Sequence, residues 1–146
     1  MTPRDRLIVA LDVPDAATAR AMVERLAGQV GMFKIGSQIF TAAGPEFVRE
    51  VIARGEKVFL DLKYHDIPNT VAGAVSGAGQ LGVSLLTVHA LGGKDMLEAA
   101  VGALPAMGIR LLAITVLTSH DEGTLHTVGV GGSVADSVRR LALPLL

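Results

Sequence analysis

The stretch Val58-Phe59-Leu60-Asp61-Leu62-Lys63-Tyr64-His65-Asp66-Ile67-Pro68-Asn69-Thr70 passes from an apolar run into a helix start. Val58 to Leu62 has strand character, and Asp61 and Lys63 close it. Strand side chains alternate between faces, so Asp61 and Lys63 share one face two residues apart. Pro68 then opens a helix through Val71 and Val75, because a first-turn proline loses no helical hydrogen bond. An apolar strand that ends in charge and leads into a helix is one βα unit.

The same pattern repeats outward in both directions. Leu7-Ile8-Val9-Ala10-Leu11, Met32-Phe33-Lys34-Ile35, Leu85-Leu86-Thr87-Val88 and Leu111 to Leu117 are further apolar runs. Continuous runs of this kind fit strands covered on both faces, as in parallel sheets. Asp15 opens a helix from Ala16 to Ala27, with Met22, Val23 and Leu26 at helical spacing. Pro45 sits in a first turn before Phe47, Val48, Val51 and Ile52, and Gly55 ends that helix. Asp95 to Ala103 and Ser133 to Leu143 complete the set. Strands recur at roughly 25-residue intervals, the size of a βα unit. Five such units give an α/β fold. Periodicity leaves two architectures open: a doubly wound sheet, and a (β/α)8 barrel of which only the first five βα units are present.

Of the 146 residues, half are hydrophobic, and 13 basic against 14 acidic side chains give a net charge of −1. Such an apolar chain is not disordered. The balanced charge argues against a nucleic-acid partner. There is no cysteine, so disulfide and thiolate chemistry are excluded. No two of the four histidines have metal-ligand spacing, which argues against structural zinc. Residues 67–93 carry no Asp, Glu, Lys or Arg. Pro68, Asn69, several glycines, Gln80 and His89 nevertheless make them a poor membrane span. The N-terminus lacks the apolar core and cleavage site of a secretory signal, so a cytoplasmic protein is expected. Gly92-Gly93 and Gly129-Val130-Gly131-Gly132 follow no first strand and read as loop turns rather than a dinucleotide fingerprint.

Position is the informative property of the polar residues. Asp12 ends the first run, Lys34 lies inside the second, and Asp61 and Lys63 close the third. His89 ends the fourth and Thr118 the fifth. The C-terminal ends of strands are where α/β proteins build their sites. An unpaired charge buried there costs several kcal/mol, so Lys34, Asp61, Lys63 and Asp66 are expected to form an alternating acid–base array. For any one of them a structural ion pair is the plainer reading. The four together, aligned with Asp12 and Thr118, read as a site. His65, His120 and His126 read as solvent-facing. His89 reads as a satisfied, nearly buried histidine, and Tyr64 as loop packing.

The pattern D-x-K-x-x-D-I-P-x-T at Asp61 to Thr70 resembles that of orotidine 5′-phosphate decarboxylases. Ala10-Leu11-Asp12, Phe33-Lys34-Ile35-Gly36, Thr87-Val88-His89-Ala90 and Leu117-Thr118-Ser119 accompany it in the family's order, over residues 6–143. The resemblance implies a (β/α)8 barrel used as a homodimer, with no metal or organic cofactor. It implies decarboxylation of a small nucleotide, orotidine 5′-phosphate, to UMP, the last step of pyrimidine nucleotide synthesis. In that reading Lys63 protonates C6 of the pyrimidine, and Asp61 lies beside the substrate carboxylate. Lys34 bridges the array and the ribose. Asp66 completes the array from the neighbouring subunit, with Ile67 and Thr70 beside it. Asp12 binds ribose hydroxyls and Thr118 contacts the ring.

A sibling group of Mg²⁺-dependent sugar-phosphate decarboxylases and synthases shares D-x-K-x-x-D. It typically continues with Ala-Gly and carries an acid in place of the second-strand lysine. Ile67-Pro68 and Lys34 favour the orotidine member here. A barrel runs to about 250 residues and often holds phosphate in loops after strands seven and eight. The resemblance therefore makes residues 1–146 a single partial barrel domain whose phosphate-holding loop and arginine are missing. Arg110, Arg139 and Arg140 are poor substitutes. Pro144 breaks the last helical pattern before Leu145-Leu146, as expected of a truncated gene, a frameshift or a fragment. Such a chain is expected to be weak or inactive alone. Its open first and fifth strands raise a non-enzymatic alternative, an interaction module that pairs through its edges.

Overall fold

Among the residues described by a computed structural model, 2–106 and 108–143, five strands form one parallel sheet. The strands are β1 (Ile8–Ala10), β2 (Met32–Gly36), β3 (Val58–Tyr64), β4 (Leu85–His89) and β5 (Arg110–Ile114). The helices are α1 (Ala16–Leu26), α2 (Ser37–Ala53), α3 (Pro68–Leu81), α4 (Gly93–Gly102), α5 (Glu122–Thr127) and α6 (Val134–Ala142). The expected helix break at Pro144 lies outside the described residues.

Strand order decides between the two architectures. The strands lie β1-β2-β3-β4-β5, each beside its successor in sequence. A doubly wound sheet reverses its order at a switch point. No reversal occurs, so the topology is that of a portion of a barrel.

Alternation along the strands divides the sheet's two faces. Phe33, Ile35, Val58, Leu60, Leu86 and Val88 are buried in one cluster with Val23 of α1, Phe47 and Val51 of α2, Val75 of α3 and Met96 of α4. Burying each such side chain fully contributes about 1.5–3 kcal/mol, and this layer is the main source of stability. The opposite set includes Lys34, Asp61 and Thr87, with Ile8 and Leu112 half-exposed at the two edges. The candidate site residues therefore lie on the face that these helices leave uncovered.

Three local outcomes differ from the sequence expectation. First, α2 begins at Ser37 rather than at Pro45 and bends at Gly44, where φ is 68°. Ser37 to Ala43 is a short helical lead-in rich in β-branched and aromatic residues, so its propensity is weak. It forms because it buries Ile39. Pro45 does open the second limb. Second, the run ending at Leu117 is strand only to Ile114. The β4–β5 ladder stops at His89↔Ile114 because β4 gives way to a 3-10 turn at Ala90–Gly92. Third, α5 interrupts what reads as loop. It is capped by Asp121, whose carboxylate accepts from the Thr124 N–H at 2.7 Å. The uncharged residues 67–93 become α3, β4 and the start of α4, and among the described residues no helix is long and apolar enough to cross a membrane.

The turn into β2 requires a glycine. A Cβ on Gly31 would lie 2.7 Å from the Asp5 carbonyl oxygen and 2.8 Å from its Cα. The Gly31 N–H is tied to the Leu7 carbonyl at 3.0 Å, so the backbone cannot easily retreat. Gly31→Ala is expected to cost about 1–3 kcal/mol through this overpacking. A urea midpoint lowered at unchanged slope would register it.

Candidate active site

Asp61 is the centre of the site. It is nearly buried at 9% exposure, and one carboxylate oxygen, Oδ1, accepts from Lys63 Nζ at 2.9 Å and Thr87 Oγ1 at 3.0 Å. Its Oδ2 lies 3.5 Å from Lys34 Nζ. Lys34 in turn stands 3.6 Å from Asp12 Oδ2, just past the end of β1. The four form a chain of alternating sign: Asp12, Lys34, Asp61, Lys63. Burial alone would raise the Asp61 carboxyl. The hydrogen bonds from Lys63 and Thr87 and the charges of Lys63 and Lys34 outweigh it, and the carboxyl titrates below its ordinary value.

Lys63 reaches this position by an irregular path. Leu60 pairs with Leu86 and Tyr64 with Val88, so three residues of β3 stand opposite Thr87 alone. Within this bulge Lys63 adopts φ 51°, a left-handed conformation that costs an ordinary residue about 1–3 kcal/mol. Its N–H donates to Thr87 Oγ1 at 2.8 Å, which anchors the bulge. Plain alternation predicts that Asp61 and Lys63 share a face. The pair does meet, but through the bulge rather than through regular pleating.

Thr87 is the residue that the sequence reading leaves out of the site. It is fully buried, donates to Asp61 and accepts from Lys63. Its only signal is a hydroxyl inside the run Leu85-Leu86-Thr87-Val88. Thr87→Val keeps the shape and removes both bonds. Losing bonds to a charged group and a strained turn is expected to destabilise the fold by about 1–3 kcal/mol. The Asp61 carboxyl should titrate higher in this variant, as read by carboxyl-carbon NMR against pH.

The remaining candidates are placed as follows. Thr118 lies beyond the end of β5 and lines an open cleft of about 570 Å³ with Lys34, Asp61, Lys63, Leu117 and Ser119. Asp66 does not join the array. It is exposed, and its carboxylate accepts from the Ile67 N–H at 2.7 Å. Ile67 and Thr70, at the start of α3, are exposed beside it. The expected four-membered array is therefore three of its members plus Asp12. Arg110 begins β5, at the far end of the strand from the site. Arg139 pairs with Asp136 at 3.1 Å, and Arg140 donates to the Gly131 carbonyl and to Ser137, so both are occupied within their own region.

His65 is exposed as expected, but its ring stacks on His89 with centroids 5.3 Å apart and planes at 21°. His89 is half-buried, and its Nδ1 accepts from the Leu91 N–H at 3.3 Å. Tyr64 packs against the core cluster, and burial pushes its phenol up.

With this geometry in place, the chain can be set beside known proteins. The family model "Orotidine 5'-phosphate decarboxylase / HUMPS family" matches residues 5–143. The chain belongs to that family. An orotidine 5′-phosphate decarboxylase of Halorhodospira halophila is 54% identical over 94% of this chain, and one of Nitrosospira multiformis is 50% identical over 94%. The chain spans 59% and 57% of the lengths of those two relatives. Among solved structures, an orotidine 5′-phosphate decarboxylase from Lactobacillus acidophilus superposes with a TM-score of 0.85 at 35% identity, covering 93% of this chain and 64% of that one. An uncharacterized conserved protein from Geobacillus kaustophilus gives 0.86 at 37% identity, covering 94% and 67%. The five βα units are thus part of a TIM barrel of this family, in agreement with the strand order.

Proposed function

We propose that this site decarboxylates orotidine 5′-phosphate to UMP, with Lys63 as the proton donor. The observation that carries the reading is the placement of the Lys63 ammonium 2.9 Å from a nearly buried carboxylate at the edge of an open cleft. Family membership and the names of the relatives support it. When the C6–carboxylate bond breaks, CO₂ leaves and the electron pair stays on C6. The pyrimidine ring delocalises that pair poorly. A fixed ammonium stabilises the developing charge, then transfers one proton from Nζ to C6 and regains it from water. Asp61 and Thr87 hold the amine in place. Asp12 and Lys34 face the sugar, and Thr118 faces the ring.

We further propose that residues 1–146 act as a partial barrel domain, cytoplasmic, without a metal or organic cofactor. In the whole enzyme two copies pair, and Asp66, Ile67 and Thr70 face the partner's cleft. The exposure of these three beside an otherwise complete array supports that pairing. On its own the chain turns over weakly, since contacts to a remote phosphate lower the barrier at the reacting carbon. Release of labelled CO₂ from carboxyl-labelled orotidine 5′-phosphate is the test. Slow release that vanishes with the array would support the reading. Release of CO₂ that ignores residues 34, 61 and 63 would end it.

A further inference from the structure

The segment from Lys63 to Asp66 joins two groups that the proposed reaction uses, and one contact ties its middle to the sheet. His65 lies between them and stacks on His89, the last residue of β4. His89 is fixed in turn, because its Nδ1 accepts the Leu91 N–H that starts the 3-10 turn Ala90–Gly92. An accepting Nδ1 carries no proton, so the neutral ring holds its hydrogen on Nε2. Protonation would put a second hydrogen where the Leu91 N–H now points. It would also place a positive charge in the stack.

We propose that His65 and His89 are positioning residues, a stacked clasp that holds Lys63 and Asp66 in place while the His89 ring is neutral and releases them when that ring is protonated. This deepens the decarboxylase reading, on which it rests for the roles of Lys63 and Asp66.

The surroundings of His89 favour the neutral state. Burial lowers its affinity for a proton first, and electrostatic repulsion from His65, His120 and Lys63 lowers it further. These groups come from the loop after β3, from the turn after β5 and from β3 itself. Leu125 of α5 and Ser137 and Leu141 of α6 line the same cavity, and none of them carries a charge. Asp121, beside His120, caps α5 through Thr124. The ordinary histidine value lies near 6.5, and His89 titrates below it. In the unfolded chain the residue therefore takes its proton first as pH falls. The clasp's contribution is complete above that ordinary value and is lost as pH drops through the folded one.

The strained backbone gives the clasp a purpose. Lys63 holds φ 51°, and the structure fastens it by two contacts, the Thr87 hydroxyl at Lys63 N and the ring stack two residues later. Loosening the second lets the turn relax toward ordinary extended geometry.

The experiment is an NMR pH titration of the 146-residue chain and two variants, with amide hydrogen exchange. In the parent, the Lys63, Asp66 and Leu91 amides should shift with the midpoint of the His89 ring. In His65→Ala, exchange at Lys63 and Asp66 should quicken by about threefold to tenfold, the worth of an aromatic stack. In His65→Phe, which stacks but does not titrate, protection should return. Amides at 63 and 66 that ignore the histidine titration would overturn the proposal, as would equal exchange in the Ala and Phe variants. Neither readout needs turnover, so failure here is separate from failure of the CO₂-release test.

Discussion

Lys63→Ala is expected to abolish decarboxylation, with a fall of roughly 10⁴-fold or more, because in the proposed mechanism it removes both the proton donor and the fixed positive charge beside C6. The measurement is labelled CO₂ release by a chimera that continues residues 1–143 with the remainder of the Halorhodospira halophila relative. That background supplies the length that the present chain lacks beside its relatives. Asp61 keeps Lys34 and Thr87 as partners, so the thermal midpoint of the variant should stay within a few degrees of the parent's. Activity within tenfold of the parent would remove Lys63 from its assigned role.

Asp61→Asn has the second large effect, on both rate and stability. The carboxylate accepts two hydrogen bonds and lies 3.5 Å from a second ammonium. The amide can serve one amine as acceptor but offers N–H to the other. Turnover should fall roughly 10²-fold or more through loss of Lys63's placement. Stability should fall by about 1–3 kcal/mol at neutral pH, the range for hydrogen bonds to charged groups. The pH dependence has a definite sign. Asp61 titrates below the unfolded value of 3.8, so its contribution is complete above that value and disappears as pH falls through the folded one. The gap between parent and variant should therefore be constant from pH 7 to 5 and close below pH 4. Denaturant unfolding across that range reads it, and a gap that widens in acid would contradict the assignment.

Much of this arrangement is written in residue types. Lys34 inside an apolar strand, and Asp12 and Asp61 at strand ends, need partners, and each finds one. The helix starts at Asp15, Pro68 and Ser133 follow from local capping chemistry. What cannot be read is set by tertiary context. Strand order decides between two folds with one periodicity, and no single segment encodes it. The Gly44 bend and the lead-in helix before it depend on the burial of Ile39. The bulge that turns Lys63 toward Asp61 depends on a hydroxyl 24 residues away. Thr87 escapes notice because threonine is at home in any strand. Asp66 lies near Lys63 in sequence, yet its side chain bonds to the neighbouring peptide instead of the array.

The strand order β1-β2-β3-β4-β5 also bears on how the molecule is made. Each strand docks against the one that left the ribosome just before it, so within these five strands no early segment waits for a late one. Both lysines and their shared carboxylate exist once residue 63 has been synthesised, and the threonine that locks them follows at 87. The charged cluster can thus assemble during synthesis, ahead of the fifth strand.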